Sequence, residues 1–360
     1  MKKIVTILGA RPQFIKGAVL SREISKFNDV EEVIVHTGQH YDANMSAVFF
    51  DEMKIPQPKY NLAINGLNHG AMTGQMLEKI EAILVDEKPD AVVVFGDTNS
   101  TLAGALAAKK LHIKIVHVEA GLRSFNMKMP EEVNRIVTDR ISDLLICPTQ
   151  KAIENLQLEG FSSFDVAIEN HGDIMKDAMD FYSVLAKDKS TIFKKTSINK
   201  DNFLLATIHR QENTDDRNKL SDIFKSLDAI NEFTQVVMPL HPRTKKKLSE
   251  YNIDTTITLI DPVGYFDMIM LLTHCKLVAT DSGGLQKEAF FNQKHCIIVR
   301  EETEWIELVN NNFAQLTGPN SDKILDAFHD LNQKKSNFNT NLYGDNVGEK
   351  IYTSIKQLIQ

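Results

Sequence analysis

Acidic and basic side chains are concentrated in the segment HVEAGLRSFNMKMPEEVNR, residues 117–135. Glu119 directly follows an apolar run, and open α/β sheets place their ligand sites at such strand ends. Pro130 suits the first turn of a helix, on which Glu131 and Arg135 are four residues apart and share a face. The segment indicates either carboxylates placed for proton transfer or an exposed surface ion pair, and both interpretations stay open on these residues alone.

Asp97 supplies a third carboxylate, because it ends the apolar run AVVVF and precedes a helical pattern rich in small residues. An aspartate in that position either caps the helix or points into a crevice. The three acids show no metal-ligand spacing, so they favour proton-transfer groups balanced by cations, with no metal. The cations that would balance them are Arg11, Lys16, Arg123 and Arg135.

The sequence DSGG, residues 281–284, is the strongest phosphate-binding signal in the chain. Gly283 and Gly284 would begin a helix and expose backbone N–H groups at its positive end, where Ser282 adds a hydroxyl. The motif has no Lys-Ser/Thr tail, so it is not a Walker loop and implies no bound magnesium. A glycine turn needed for close packing is the alternative. Glu288, one turn further, would accept hydrogen bonds from a ribose or remain solvated.

Two other strand ends carry imidazole and guanidinium groups. The run FLLATI leads into His209 and Arg210, and the run QVVMPL leads into His241. A histidine at a strand end is often a hydrogen-bonded structural residue. A His-Arg pair beside a glycine-rich anion site instead favours a diphosphate clamp.

All these residues follow apolar runs that alternate with helical patterns. In the first part of the chain the predicted strands are residues 3–8, residues 32–36, the runs AVVVF and IKIVHV, and residues 143–149. Helical patterns follow GARPQFIK and occupy residues 72–89. Such βα units within about 150 residues predict a doubly wound parallel sheet. GARPQFIK is not GxGxxG, so the dinucleotide fingerprint is absent.

A second alternation begins at residue 202, after the polar segment 187–202, which suits a linker. Its predicted strands are FLLATI, QVVMP, TITLI, LVAT and HCIIV. We therefore predict an α/β protein of two Rossmann-like domains, residues 1–186 and 187–345. A cleft between two such domains suits a nucleotide-linked ligand.

Composition narrows the class of protein. The chain has 360 residues, 42% apolar and 25% charged, which is typical of a globular protein, and its net charge of −7 argues against a nucleic-acid partner. No apolar run approaches membrane-spanning length, and MKKIVTIL is too short for a signal peptide. The three cysteines, Cys147, Cys275 and Cys296, are far apart and favour a reducing compartment. We expect a cytoplasmic protein without a membrane partner.

Eight motifs, taken together, resemble the non-hydrolysing UDP-N-acetylglucosamine 2-epimerases. They are GARPQFIK, TGQH, GDTNSTLAGALAA, HVEAGLRS, MPEEVNR, HRQEN, TDSGGLQKEA and YGD, in order along nearly the whole chain. The resemblance implies a two-domain fold similar to GT-B glycosyltransferases. It also implies that residues 346–360 form a helix that returns to the first domain.

The resemblance also implies roles for individual residues. Asp97, Glu119 and Glu131 are similar to the acid/base carboxylates, and His209 to the catalytic and diphosphate-binding histidine. Contacts to the substrate are implied for Arg11, Lys16, Arg135, Ser282, Gly283, Gly284 and Glu288. To these the strand-end pattern adds Arg210 and His241 as expected substrate contacts. The expected partner is a UDP-sugar, the expected cofactor is none, and family members are commonly homodimers.

Three segments bear on the substrate. TGQHYDANMS, SFNMKMPEE and TEW resemble the branch that acts on UDP-2,3-diacetamido-2,3-dideoxy-glucuronate and makes its manno isomer for surface polysaccharide. Plain UDP-N-acetylglucosamine is the alternative substrate. A GT-B glycosyltransferase and a non-catalytic nucleotide-sugar sensor are remoter alternatives.

Overall fold

A computed structural model of the protein describes residues 1–39, 50, 51 and 53–360. The described residues form two compact units, Met1–Ala178 with Asn341–Gln360, and Met179–Thr340. The first unit ends and the second begins within the helix Ile174–Lys189. The domain boundary at 186/187 that was expected from composition lies further along the same helix. Most of the motif segment TGQHYDANMS lies outside the described residues.

The first unit is built on a parallel sheet with the order β3-β2-β1-β4-β5-β6-β7 among its described residues. Its strands are β1 (Lys2–Leu8), β2 (Val30–His36), β3 (Tyr60–Asn61), β4 (Ala91–Phe95), β5 (Lys114–Val118), β6 (Leu144–Cys147) and β7 (Ala167–Asn170). Val5 on β1 pairs with Val33 on one side and Val92 on the other. The strand order reverses at β1 and β4, so the loops after these two strands meet at the position where doubly wound sheets bind ligands.

Helices cover both faces of this sheet, which explains why its strands are continuous apolar runs. The helices of this part of the chain are α1 (Arg11–Ile24), α2 (His69–Glu87), α3 (Asn99–Lys110), α4 (Pro130–Ile141), α5 (Gln150–Leu158) and α6 (Ile174–Lys189). The small residues of α3 allow it to lie close to the sheet. A Cβ built on Gly104 would stand 2.6 Å from the side chain of Ile7, so only glycine fits there without a shift.

The second unit repeats the architecture with the strand order β10-β9-β8-β11-β12-β13. Its strands are β8 (Phe203–Thr207), β9 (Gln235–Pro239), β10 (Thr258–Ile260), β11 (Leu277–Thr280), β12 (His295–Ile298) and β13 (Ala314–Leu316). The helices are α7 (Ile192–Lys195), α8 (Gln211–Thr214), α9 (Arg217–Asn231), α10 (Pro242–Tyr251), α11 (Tyr265–His274), α12 (Gly283–Phe291), α13 (Ile306–Asn310) and α14 (Ser321–Asn332). The order reverses at β8 and β11, which brings together the loops after them.

The C-terminal helix α15 (Val347–Leu358) packs on the first unit, which confirms the predicted return of the chain. Gly348 permits close contact, because a Cβ there would stand 2.7 Å from Val19 on α1. Tyr352 donates a hydrogen bond of 2.5 Å to Asp29 and stacks on Phe27 at 5.0 Å between ring centroids.

The sequence analysis missed three strands, β3, β7 and β13, and the helical segments between residues 150 and 195. The three strands are short and lie at the edges of their sheets. An edge strand needs no continuous apolar run, and β7, with the sequence AIEN, has none. None of the helices among the described residues is long and apolar enough to cross a membrane.

A buried carboxylate ties α2 to the first sheet. Glu87 accepts hydrogen bonds from Lys59 at 2.6 Å, Tyr60 at 2.6 Å and Lys3 at 2.9 Å. The bond from Lys59, followed by those from Tyr60 and Lys3, lowers the pKa of Glu87 from 4.5 to about 2. These donors hold the edge strand β3 and the strand β1 to the end of the helix.

We predict that Glu87→Gln lowers Tm by roughly 2–4 °C at neutral pH. A lowered carboxylate pKa stabilises the fold above pH 4.5, and this contribution is lost as pH falls through about 2, so the Tm difference should shrink over that window. Thermal unfolding across the pH range measures it. Glu78→Gln, at an exposed position of the same helix, is the control. A difference between wild type and Glu87→Gln that stays constant with pH would contradict the assignment.

Candidate active site

Asp97 lies in the loop after β4 and is held from two directions. Its backbone carbonyl accepts a hydrogen bond of 2.9 Å from the side chain of Asn134, and its carboxylate forms a short ion pair with Arg135. Both partners lie on α4, the helix predicted to begin at Pro130, where it does begin. The Asp97 side chain remains 34% exposed, so the carboxylate is both oriented and accessible to a ligand.

Glu119 follows β5 with a backbone φ of +73°, a conformation that non-glycine residues rarely adopt. The N–H groups of Glu119 and Ala120 both donate to the carbonyl of Ile146 at 3.0 Å, which holds this conformation in place. The carboxylate forms a short ion pair with Lys16 of α1. A Cβ on Gly96 would stand 3.5 Å from Glu119 Oε2, so the loops of Glu119 and Asp97 are in close contact.

Glu131 and Glu132 are adjacent in the first turn of α4 but have different surroundings. Glu132 is fully buried and accepts hydrogen bonds from Arg135 at 2.6 Å and from the N–H of Phe125 at 2.8 Å. Arg135 therefore pairs with Glu132 and Asp97, whereas the sequence analysis placed it on a face with Glu131. Glu131 is exposed on the same turn, where a ligand can reach it.

The predicted cations of this unit have different surroundings. Burial lowers the pKa of Arg135, but Asp97 and Glu132 outweigh it and raise the pKa above its ordinary value. Lys16 is buried beside Glu119, and Arg11 is half-buried at the first position of α1. Arg135 and Lys16 therefore pair with the acids at the strand ends, and Arg11 begins the helix that follows β1.

Arg123 was predicted to balance the acids, but the structure gives it other partners. Its guanidinium donates to Asp139 at 2.7 Å and makes two bonds of 2.7 Å to Glu159. All of its side chain is buried. Arg123 is therefore part of a buried hydrogen-bond network with Asp139 and Glu159, in which its side chain is not accessible to a ligand.

A glutamine missed by the sequence analysis joins the loops at the reversal of strand order. Gln13 accepts hydrogen bonds from the N–H groups of Gly9 at 2.8 Å and Ala10 at 3.0 Å, and it donates to the carbonyl of Phe95 at 2.6 Å. It thereby fixes the loop after β1 to the loop after β4. The sequence offers no specific signal for Gln13, apart from its being a polar residue near the start of α1.

In the second unit a buried aspartate organises the loop after β8. Asp281 has no exposed surface and accepts hydrogen bonds from the backbone N–H of His209 at 3.0 Å and of Arg210 at 2.9 Å. The amide of Asn213 donates to it at 3.2 Å. Asp281 thus sets the backbone from which the predicted histidine and arginine extend.

The imidazoles of His209 and His241 are neighbours, with ring centroids 5.4 Å apart. Burial, with smaller effects of His241 and Arg210, lowers the pKa of His209 against the opposing effect of Asp281. Partial burial of the ring and the charge of Arg243 lower the pKa of His241. Both rings are therefore mainly neutral at neutral pH. Nδ1 of His241 accepts from the N–H of Arg243 at 3.2 Å, which leaves Nε2 as its donor.

The DSGG motif forms the beginning of α12, as predicted, with Ser282 at the N-cap position. A Cβ on Gly283 would lie 3.9 Å from guanidinium nitrogens of both Arg210 and Arg300. Arg300, which the sequence analysis missed, is held by Glu304 at 3.0 Å. Two guanidinium groups thus stand beside a helix N-terminus that exposes backbone N–H groups, which is a site suited to a phosphate or diphosphate.

Gly284 and Glu288 lie on the same helix, four residues apart, so they share a face of α12. Within the described part of the chain, no group of three or more His, Cys, Asp or Glu side chains has an arrangement that could hold a metal ion.

Comparison with known proteins agrees with this arrangement. A family model described as UDP-N-acetylglucosamine 2-epimerase matches residues 22–356. The chain is 50% identical over 343 residues to the UDP-2,3-diacetamido-2,3-dideoxy-D-glucuronate 2-epimerase of Pseudomonas aeruginosa, covering 95% of this chain and 96% of the relative. It is 47% identical over 363 residues to a UDP-N-acetylglucosamine 2-epimerase homolog of Methanococcus maripaludis, covering 99% and 100%.

The crystal structure of the Methanocaldococcus jannaschii UDP-GlcNAc 2-epimerase in complex with UDP-GlcNAc and UDP is similar, with a TM-score of 0.88 and 40% identity, covering 99% of this chain and all of that one. Fold and sequence thus define an isomerase with a GT-B-like fold, a UDP-sugar 2-epimerase. The chain belongs to the UDP-N-acetylglucosamine 2-epimerase family.

We predict that Asp281→Asn destabilises the protein by roughly 2–4 kcal/mol, because an NH₂ group would then face buried N–H donors. Asp215→Asn is the matched control. Asp215 is 40% exposed and pairs with Arg243 at 3.3 Å, so its loss should cost below about 1 kcal/mol. Urea unfolding of both variants tests this, and equal small losses would show that Asp281 does not organise the loop.

Proposed function

We propose that this enzyme inverts C2 of a UDP-linked N-acetylhexosamine by eliminating UDP and adding it back without net hydrolysis. The observation that supports it most directly is the adjacent pair of carboxylates, Asp97 and Glu119, each beside its own cation at the reversal of strand order. Two oriented acids suit the removal and return of one proton.

The chemistry requires such groups, because the hydrogen on C2 is not next to a carbonyl and is not acidic. If the anomeric C–O bond breaks first, UDP leaves with the bonding electron pair and C1 becomes oxocarbenium-like. A carboxylate then takes the C2 proton, and the C–H electron pair forms the C1–C2 double bond of a glycal. Protonation of C2 on the opposite face and return of UDP to C1 complete the inversion.

We assign the acid/base work to Asp97, Glu119 and Glu131. His209 would be the catalytic and diphosphate-binding histidine. The ion pair with Arg135 orients Asp97, and the ion pair with Lys16 orients Glu119. The exposed position of Glu131 suits a group that meets the sugar only when substrate is bound. Arg11, at the start of α1, would contact the substrate as well.

The second unit would hold UDP as leaving group and returning nucleophile. Diphosphate oxygens would bind the N–H groups of Gly283 and Gly284, the hydroxyl of Ser282 and the guanidinium of Arg210. The neutral rings of His209 and His241 would donate hydrogen bonds to this anion. Glu288 would accept hydrogen bonds from the ribose. Charge held in this way lowers the barrier to departure of UDP.

For the substrate we propose UDP-2,3-diacetamido-2,3-dideoxy-glucuronate, converted to its manno isomer for surface polysaccharide synthesis. The 50% identity to the Pseudomonas aeruginosa enzyme of that name supports it. Plain UDP-N-acetylglucosamine is the alternative, supported by the 47% and 40% identities to proteins named for that substrate. We also propose a cytoplasmic homodimer, on the family resemblance and on the three buried free cysteines.

Proton NMR in D₂O, with the two UDP-sugars in parallel samples, tests the function and the substrate. We expect the C2 hydrogen to exchange with deuterium while a manno-configured product grows, faster for the diacetamido uronate. Faster turnover of UDP-N-acetylglucosamine would reassign the substrate. Release of UDP with free sugar would indicate hydrolysis, and no change in either sample would favour a transferase or a sensor.

Asp97→Asn tests the carboxylate assignment. The amide keeps the shape of the side chain but cannot take a proton, so we expect kcat to fall by about 10³-fold or more while UDP binding, measured by calorimetry, is retained. Asp86→Asn, at an exposed position of α2, controls for the loss of an acid. Turnover at the wild-type rate in Asp97→Asn would remove Asp97 from the acid/base set.

A further inference from the structure

A buried histidine connects the two loops that carry Asp97 and Glu119. His117 lies on β5, has no exposed surface, and meets an acceptor at each ring nitrogen. Its Nε2 is 2.7 Å from the carbonyl oxygen of Gly96, and its Nδ1 is 2.7 Å from Oδ1 of Asp139. A carbonyl oxygen only accepts, so Nε2 carries the proton of the first bond.

The bond to Gly96 fixes the backbone that presents Asp97. The Gly96 carbonyl and the Asp97 N–H belong to one planar peptide, so holding one orients the other. Gly96 has a φ of +63°, and the strand β4 has already ended there. The carbonyl of Asp97 is in turn held by Asn134 at 2.9 Å. His117 and Asn134 therefore fix the peptides on both sides of Asp97.

Asp139 does the same for the loop after β5. Its Oδ2 accepts from the N–H of Gly121 at 3.1 Å and from Arg123 at 2.7 Å. The carbonyl of Gly121 accepts from the side chain of Asn155 at 3.0 Å. Gly121 is two residues beyond Glu119, so both polar groups of its backbone are fixed close to the strained carboxylate residue.

His117 and Asp139 together are suited to act as a rigid bridge between the loop after β4 and the loop after β5. Burial raises the pKa of Asp139, but the charge and hydrogen bond of His117, with those of Arg123, outweigh it and lower the pKa below its ordinary value. Oδ1 of Asp139 pairs with the His117 ring and Oδ2 accepts from Gly121 and Arg123, so both carboxylate oxygens have partners. Arg123 is itself held by two bonds of 2.7 Å to Glu159 at the end of α5.

We propose that His117 and Asp139 are positioning residues for C2 epimerisation, which rests on the proposed function. Through Gly96 and Gly121 they set the separation and direction of the Asp97 and Glu119 carboxylates. Both side chains are fully buried, so they act through the loops and do not touch the sugar. A displacement of about 1 Å at reacting groups costs up to about 10²-fold in rate, so the bridge should matter for kcat.

The test compares alanine variants with a conservative one. We expect His117→Ala and Asp139→Ala each to lower kcat by about 10²-fold, with KM and the Kd for UDP changed by less than about 3-fold. The double variant should lose no more than about 3-fold beyond either single one, since each change breaks the same bridge. Asp139→Asn keeps acceptors for Gly121 and Arg123, so it should recover at least about 10-fold of the lost kcat.

His36→Ala is the matched control for the loss of a buried imidazole. His36 ends the strand β2 of the same sheet, is 6% exposed, and its Nε2 has no hydrogen-bond partner among the described residues. It should lower Tm by an amount similar to His117→Ala but change kcat by less than about 3-fold. An equal loss of kcat in both variants would mean that destabilisation alone is responsible, and the proposal would be wrong.

Two further measurements, the kcat of His117→Gln and C2 exchange in the wild-type enzyme, complete the test. If the alanine variants do not fold, His117→Gln, which keeps one donor and loses the second, should still lower kcat by about 10-fold, and an unchanged kcat overturns the proposal. Wild-type enzyme measured in the same NMR assay separates the two hypotheses. Absence of C2 exchange in wild type refutes the proposed function, whereas normal exchange in wild type and in His117→Ala refutes only the bridge.

Discussion

Each unit of the structure depends on one buried carboxylate that collects donors from neighbouring strand ends. Asp139 does so in the first unit and Asp281 in the second, and neither has exposed surface. A buried carboxylate is stable only when its oxygens are hydrogen-bonded and its charge is balanced. Satisfying these two groups therefore dictates the course of the loops after β5 and β8, and those loops carry the side chains of the candidate site.

The carboxylates assigned to chemistry contrast with these two. Asp97 is 34% exposed and Glu119 12% exposed, and each forms an ion pair with a cationic side chain. This partial exposure makes the two carboxylates accessible to a proton or a substrate, whereas both oxygens of Asp139 are buried and hydrogen-bonded. Such a division suits an active site, in which buried groups hold the framework that positions the reacting groups.

The sequence predicted both sheets, the helix start at Pro130, the N-terminus of α12 and the strand-end positions of Asp97 and Glu119. These features follow from local rules, the apolar period and the chemistry of proline and glycine. It misjudged the partner of Arg135 because positions three and four residues apart are both neighbours on a helix, and burial decides between Glu131 and Glu132. Gln13 and Asp139 escaped notice because their contacts with Phe95 and His117 join segments that are distant along the chain. Arg300 escaped notice because only the folded structure brings it beside Gly283.

The two units differ in the charge that they offer. The first combines acids with buried cations, while the second offers imidazoles with lowered pKa values, guanidinium groups and a helix N-terminus. In the proposed reaction the acids would serve the exchange of the C2 proton, and the second set of groups would stabilise the negative charge that grows on the diphosphate as UDP leaves. In the proposed reaction the imidazoles would add hydrogen bonds to those that the guanidinium groups and the helix N-terminus give the diphosphate.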